Sequence, residues 1–397
     1  MPGMTKREEF LDKLGQAGTL ILIFQLTDQC VLSCRYCFAK GSHPSGSLRL
    51  ADELLEAVIR SAFDTRHGEV SFEWTGGEPF LAGIDFYRKV DQLQKKYATK
   101  PYANTIQTSG YVHDRELIAW LAGHGFHLSS TIDGPPELHD LQRPANGGGP
   151  SLATVLATRE TIIEHQGHCG CICTVTRQSL GKEGAILDFY RSLGIETFHS
   201  NPYHFFSGNL IGDESLALDA NGYAAYFIAQ FNAWFEGGRK LPMPGTLNYI
   251  LRSLVAGAGL KQSLCTFGGR CLTNFLAITP NGDAWLCPKF AGFEEMRLGN
   301  VGEMAIADIL SDANPAMSRL IDQRLEAMHA CEAEECRYQY LCNGGCPYYS
   351  FIASGGRSIA AKDSLCSGKQ LLFEYLESVV ELIDPAQLPE PRFSEHA

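Results

Sequence analysis

Three cysteines fall within eight positions of the chain, Cys30, Cys34 and Cys37 in the stretch CVLSCRYCF. Thiolates are soft ligands suited to zinc, copper or iron–sulfur centres. A structural zinc site is closed by four ligands, so three thiolates leave one position of a metal or cluster free for a small molecule. Eight more cysteines crowd the last third of the chain: Cys265, Cys271, Cys287, Cys331, Cys336, Cys342, Cys346 and Cys366. Eight thiolates suffice for two complete four-cysteine cages, whether the metal is iron or zinc. Cys169, Cys171 and Cys173 differ, because alternate residues of a strand share one face; they read as core packing.

Elements able to position such residues alternate from residue 19 to about 235. TLILIFQL reads as a buried strand and ADELLEAVIRSAF as an amphipathic helix. VSFEW is followed by IDFYRKVDQLQKKY, NTIQTS by RELIAWLAG, HLSSTID by SLATVLATRETIIEH, CGCICTVT by GAILDFYRSLG, and IETFHSN by a helix near 219–236. Six strand–helix units in succession predict parallel pairing with right-handed crossovers, an α/β sheet or barrel with ligands at the C-terminal ends of its strands. The polar residues obey that rule. The cysteine loop follows the first strand, TGGEP the second, QTSG the third, DGPPELHD the fourth and HSNPYH the sixth.

The expected division is an N-terminal extension over 1–18, the strand–helix domain over 19–236 and a connector over 237–262 with Pro242, Pro244 and several glycines. A Cys-rich domain over 263–370 follows, with a short hairpin at TPNGDAW and helices, then a C-terminal helix and tail over 371–397. KQLLFEYLESVVELI has helical spacing and is expected to pack on the domain before it.

The chain has 397 residues, 45% hydrophobic and 20% charged, ordinary for a soluble globular protein with room for a large core. No run approaches the roughly 18 apolar residues of a membrane span. TLILIF has no small-residue cleavage site after it, which predicts a cytoplasmic protein rather than a secreted disulfide scaffold. The formal charge of −12 argues against a phosphate-backbone partner, so neither nucleic acid nor membrane is expected.

The Cys30-x3-Cys34-x2-Cys37 spacing with Tyr36 before the last cysteine, together with Gly76, Gly77, Glu78 and Pro79 after the second strand, resembles the radical S-adenosylmethionine superfamily. The resemblance implies a partial (β/α)6 TIM barrel whose three cysteines hold a [4Fe-4S] cluster with one iron open to S-adenosylmethionine. It implies that the GGEP stretch takes the methionine amino group, and that Gln107 and Thr131 touch the cofactor's ribose and carboxylate. The arginine that often completes the carboxylate contact in relatives has no clear counterpart, although Arg143 and Arg159 are nearby. The second cysteine block is similar to the SPASM extension of the same superfamily, in which two cages interleave. Cys265, Cys271, Cys287 and Cys346 would hold one auxiliary [4Fe-4S] cluster and Cys331, Cys336, Cys342 and Cys366 the other, three clusters in all. Four residues separate Cys331 from Cys336 where two is usual. A zinc-stabilised binding scaffold, free of iron, is the non-enzyme alternative.

Over about residues 20–370 the layout is similar to anaerobic sulfatase-maturating enzymes, through GGEPFLAG, IQTSG, DGPPELHD and RLGNV. Those enzymes place an Asp base directly after the third cysteine of the extension, where this chain has Cys287, Pro288, Lys289 and Phe290. Proline cannot accept a proton, and lysine does so only with its pKa lowered. CPKFAGFEEMRLGNV instead resembles maturases of ribosomally synthesised peptides, RiPPs, including those that form carbon–carbon cyclophane links between an aromatic ring and a neighbouring side chain. That resemblance implies a precursor peptide or protein as substrate and an external electron donor of the flavodoxin or ferredoxin type. Formylglycine formation, thioether formation and epimerisation are the enzymatic alternatives. Candidate catalytic residues are His199, Tyr203 and His204 at the end of the sixth strand, with Asn201 alongside, and Asp283 and Lys289. Only about 18 residues precede the first strand, too few for a leader-binding module with its own core, so leader recognition is expected on the rim, on an edge strand or through a separate protein.

Overall fold

The computed structural model describes residues 7–8, 11–12, 18–39, 49–205, 212–257, 265–267 and 271–389. Most of the expected N-terminal extension lies outside them. Six parallel strands stand side by side in chain order: β1 (Thr19–Gln25), β2 (Glu69–Thr75), β3 (Tyr102–Thr108), β4 (Phe126–Thr131), β5 (Gly170–Val175) and β6 (Thr197–Pro202). The chain returns between and after them through α1 (Asp52–Phe63), α2 (Gly83–Tyr97), α3 (Arg115–Gly123), α4 (Pro136–Gln142), α5 (Leu152–Gln166), α6 (Glu183–Ser192) and α7 (Ala220–Glu236). This is the partial (β/α)6 barrel that the sequence predicts.

The helix-facing parity of the first two strands is apolar. Leu20, Leu22 and Phe24 of β1 and Val70, Phe72 and Trp74 of β2 are all at most 1% exposed. Phe72 meets Phe63 of α1, and Trp74 meets Phe86 and Tyr87 of α2 edge-on. Each such burial is worth about 1.5–3 kcal/mol, and a one-residue slip would turn the whole set to the other face, so the register is firmly fixed. Helix starts follow side-chain caps: Asp114 accepts from Leu117 N at 3.0 Å ahead of α3, and Asp219 from Gly222 N at 2.7 Å ahead of α7.

The opposite parity carries most of the polar side chains from β2 to β6. Glu73 stands beside Ile23 and Thr105, Gln107 beside Ser129, and His199 and Asn201 beside Ile172 and Thr174. These residues face the lumen of the partial barrel.

The sheet continues past the six strands on both edges. The expected connector contains a short seventh parallel strand, β7 (Met243–Pro244), paired with β6, and a helix, α8 (Gly245–Ala256). Met243, Leu247, Tyr249, Ile250 and Leu251 are buried there. Pro244 stands immediately before the helix, where its missing N–H costs nothing, so it starts an element rather than breaking one. Residues 258–262 of that segment lie outside the described residues. On the other edge the expected hairpin forms from β8 (Phe275–Ile278) and β9 (Asp283–Trp285), turning at Gly282 with φ 85°. Strand β8 lies parallel to β1, and β10 (Arg297–Asn300) follows β9, giving the order β10-β9-β8-β1-β2-β3-β4-β5-β6-β7.

Three longer helices complete the Cys-rich region: α9 (Pro315–Ala333), α10 (Pro347–Ala353) and α11 (Cys366–Val379). The last begins on Cys366 itself and packs on α7, where Tyr375 OH donates to Asn232 Oδ1 at 2.6 Å. Among the described residues no helix is long and apolar enough to cross a membrane.

Candidate functional site

The three-cysteine loop follows β1 and is stitched to the loop after β2. Gly77 N donates to Thr27 O at 2.7 Å and Glu78 N to Gln29 O at 2.9 Å, immediately ahead of Cys30. Neither glycine has room for a side chain. A Cβ on Gly76, whose φ is 124°, would stand 2.8 Å from Leu26 N, and one on Gly77 would stand 2.1 Å from Gln29 O. Glu78 is fully buried and accepts from Phe80 N at 3.1 Å, Thr108 Oγ1 at 2.7 Å, Ser109 N at 2.9 Å and the Ser109 hydroxyl. Four donors saturate the carboxylate, which therefore fastens the ends of β2 and β3 together. Gln107 Nε2 donates to Thr131 Oγ1 at 3.0 Å, so these two rim residues stand as a pair.

Tyr36 is buried, and its hydroxyl donates to Asp133 Oδ2 at 2.6 Å while accepting from Arg143 Nη1 at 2.8 Å. Asp133 Oδ1 accepts from Thr174 N at 2.9 Å, which ties the network to β5. Burial pushes the Cys34 thiol up to about 11 against the opposing charge of Arg143, and burial raises Cys30 as well. Arg143 Nε is buried with no hydrogen-bond partner among the described residues, and so is Arg159 Nε on α5.

In the Cys-rich region the thiols fall into two groups. Cys331, Cys336, Cys342 and Cys366 line one cavity. Cys265, Cys346 and Cys287 each add, behind burial, to the rise of the Cys271 thiol, which places these four within electrostatic reach of one another. Burial pushes Cys287 up to about 11 and Cys342 up to about 12. A thiol of that kind keeps its proton at neutral pH unless a metal displaces it. Among the described residues no three Cys, His, Asp or Glu side chains close as ligands of a single metal ion, whereas a four-iron cluster is wider than one ion and takes thiols set further apart.

The lumen holds the remaining candidates. His199 Nε2 meets Asn201 Oδ1 at 3.0 Å; burial lowers the His199 pKa, and the charge of Lys289 lowers it further. The Lys289 ammonium lies over the rings of Tyr348 and Tyr349, 5.5 and 5.4 Å from their centres. His204 Nδ1 meets Leu218 O at 3.0 Å and its Nε2 meets Ser364 Oγ at 2.9 Å, joining the rim of β6 to the Cys-rich region. Tyr203 lies beside Tyr36 with ring centres 6.1 Å apart, and burial pushes its hydroxyl up to about 12. Asp283 is spent elsewhere. It accepts from Arg297 Nη2 at 2.6 Å, Asn300 Nδ2 at 3.0 Å and Asn281 Nδ2 at 2.6 Å, a latch at the β8–β9 turn.

Residues 24–182 match the Radical SAM superfamily, and residues 265–337 match SPASM, an iron–sulfur cluster-binding domain. The chain is a radical SAM enzyme with a SPASM domain. The cysteine-type anaerobic sulfatase-maturating enzyme of Clostridium perfringens (strain ATCC 13124) is 24% identical to it over 340 residues, 82% of this chain and 88% of the relative. Native anSMEcpe, solved with bound AdoMet and Cp18Cys peptide, shares the fold with a TM-score of 0.77 at 22% identity, over 92% of this chain and 98% of that one. Streptococcus suis SuiB bound to precursor peptide SuiA does so with a TM-score of 0.63 at 17% identity, over 91% of this chain and 79% of that one.

S-adenosylmethionine and iron–sulfur clusters are the cofactors of such a radical SAM enzyme, and the residues present fit them on three counts. The donor sets are thiols whose burial disfavours ionisation without metal. Gly76 and Gly77 leave bare backbone where any Cβ would collide. Arg143 keeps a buried N–H unpartnered while its charge acts on Cys34.

One lumen residue escaped the sequence reading. Glu73 lies on the inner face of β2, three residues before Gly76, and burial alone pushes its carboxyl up to about 7. Its charge reaches Cys265. The signal was a single acidic residue at inward parity, beside Ser71, in the strand VSFEW.

Proposed function

We propose that this radical SAM enzyme is a peptide maturase that removes a side-chain hydrogen from a ribosomally synthesised precursor peptide and closes a cross-link of the carbon–carbon cyclophane type. The observation that carries this reading is the pair of residues after Cys287. Pro288 has no group that accepts a proton, and Lys289 is held over two tyrosine rings with its charge reaching His199, so neither residue that follows that cysteine supplies a carboxylate. Support for a peptide substrate comes from two proteins of the same fold, one solved with Cp18Cys peptide and the other with precursor peptide SuiA.

In this reading Cys30, Cys34 and Cys37 hold the cluster that takes S-adenosylmethionine, and the two four-cysteine groups hold two auxiliary [4Fe-4S] clusters. When bound, these groups supply a 5′-deoxyadenosyl radical able to remove an unactivated C–H hydrogen. The Gly76–Pro79 stretch would receive the methionine end on bare backbone, the Gln107–Thr131 pair would orient the ribose and carboxylate, and Tyr36, held by Asp133 and Arg143, would add a further contact to the same cofactor. His199, Asn201 and Glu73 line the space for the peptide side chain. Glu73, titrating near 7, is the lumen group best matched to receive a proton at neutral pH. A flavodoxin or ferredoxin in the cytoplasm completes the electron supply.

Formylglycine formation is the second reading, favoured by the 24% identity to the Clostridium perfringens enzyme over 82% of this chain. Reconstituted enzyme, reductant and S-adenosylmethionine are incubated either with Cp18Cys peptide or with short peptides encoded beside the gene, and the products are sequenced by mass spectrometry. A cross-link removes two hydrogens shared between two residues; formylglycine alters one Cys or Ser alone. Formylglycine as the product, or no 5′-deoxyadenosine with any peptide, overturns the proposal.

A further inference from the structure

Asp363 and Lys369 form an ion pair at 2.7 Å whose side chains are 3% and 1% exposed. Stripping two charges of water costs several kcal/mol each, and an apolar pair of similar volume is often as stable, so stability alone does not account for it. Its position does. Asp363 Oδ2 also accepts from Cys346 N at 2.8 Å, and Oδ1 accepts from Leu365 N at 2.7 Å. Lys369 Nζ donates to Thr266 O at 3.3 Å. The pair thus touches backbone on two sides: Cys346 and the neighbour of Cys265 belong to the first cysteine group, while Leu365 precedes Cys366 of the second.

The two groups are joined by a strap from Cys342 to Cys346, three residues long between its cysteines. Arg324, 1% exposed, grips it from the other side, donating to the carbonyls of Asn343, Gly344 at 3.0 Å and Gly345 at 2.7 Å. Gly345 lies so close to Asp363 that a Cβ there would stand 2.4 Å from Oδ2. Asp363 and Lys369 both line the cavity that gathers Cys331, Cys336, Cys342 and Cys366, so their charges stand directly against the second group. Fixed charges and hydrogen bonds at this range are among the levers that set iron–sulfur potentials.

Resting on the reading that these eight cysteines hold two iron–sulfur clusters, we propose that the Asp363–Lys369 pair sets their relative reduction potentials. The Lys369 ammonium favours the extra negative charge of the reduced second cluster, so one electron leaves the Cys265/Cys271/Cys287/Cys346 cluster, which is oxidised, and reduces the Cys331/Cys336/Cys342/Cys366 cluster. Lys369 and Asp363 are positioning residues that set a potential and touch no substrate.

The test is a potentiometric titration of the reconstituted holoenzyme at pH 8, followed by electron paramagnetic resonance. The same chain carrying Cys30→Ala, Cys34→Ala and Cys37→Ala is titrated in parallel to assign the auxiliary midpoints. Lys369→Met lowers the second cluster's midpoint, Asp363→Asn raises it, and Lys369→Arg leaves it at the wild-type value. Opposite shifts mark a charge effect, because structural damage would move both variants the same way. Midpoints that stay at wild type, or that move together, overturn the proposal. Where Lys369→Met fails to load iron, Asp363→Asn decides alone, and a midpoint at or below wild type is the negative result. The two-cluster reading is judged separately by the triple variant, which should retain about eight irons per chain.

Discussion

The barrel rim and the Cys-rich region both gather buried thiols, and they hold them by opposite means. At the rim the scaffold is made of saturated hydrogen bonds and close glycine contacts. Glu78 is satisfied by four donors, and Gly77 presses on the backbone of Gln29. The buried cation there, Arg143, keeps a spare N–H. In the Cys-rich region the strap between the groups is held by Arg324, Lys369 and Asp363, and among the described residues none of these three leaves a buried polar atom orphaned. The contrast follows from what each region must hold: a site that admits a small molecule keeps bonding capacity in reserve beside its thiols, whereas groups closed by four thiols need none from the residues that hold their strap.

The strongest way to break that contrast is Cys34→Ala. It should abolish 5′-deoxyadenosine formation while the two four-cysteine groups keep their clusters, so that iron content falls by about one third. Chromatography of the nucleoside and an iron assay check it. Loss of all iron would mean that the two regions do not stand independently, and persisting nucleoside would mean that the rim is not where the cofactor is split.

Glu78→Gln sharpens the same contrast at the next level down. The amide keeps one acceptor oxygen but turns an N–H₂ toward one pair of donors, either Phe80 N with Thr108 Oγ1 or the N–H and hydroxyl of Ser109, and that pair loses its acceptor. Buried unsatisfied donors of this kind cost on the order of 3 kcal/mol together. Denaturant unfolding should show that loss, and equilibrium dialysis should show weakened S-adenosylmethionine binding. A variant with wild-type stability would mean that the rim is not held by this carboxylate.

Much of this was legible in the sequence. Alternating strand and helix patterns gave β1 to β6 and their helices, because β1 and β2 keep their helix-facing parity apolar and the helices that follow them carry apolar stripes. The polar loops fell on one rim because parallel strands all end there. What escaped depends on partners distant in sequence. Lys369 sits on the apolar stripe of α11 with Leu372, Phe373 and Leu376, and only the fold shows that Asp363 and Thr266 O meet it. Asp283 looked available because its latch, Arg297 and Asn300, arrives on a later strand. The element-forming role of residues 243–256 was hidden by weighting Pro244 as a breaker, although a proline just ahead of a helix starts one.

The smallest expected effect lies where the two regions meet, at Glu73. Its folded pKa of about 7 stands above its ordinary 4.5. Between those values the folded chain keeps a proton that the unfolded chain has lost, so stability falls as pH rises through the window, and the full cost stands above 7. The shift corresponds to about 3 kcal/mol at full burial, and partial exposure of the residue reduces this to about 2 kcal/mol. Glu73→Gln should therefore raise the thermal midpoint at pH 8, with the gain shrinking through 7 and vanishing below about 4.5. Parallel curves for variant and wild type at every pH would mean that water reaches this carboxyl freely. The rim and the first cysteine group would then share no dry space in which a peptide side chain could be held away from solvent.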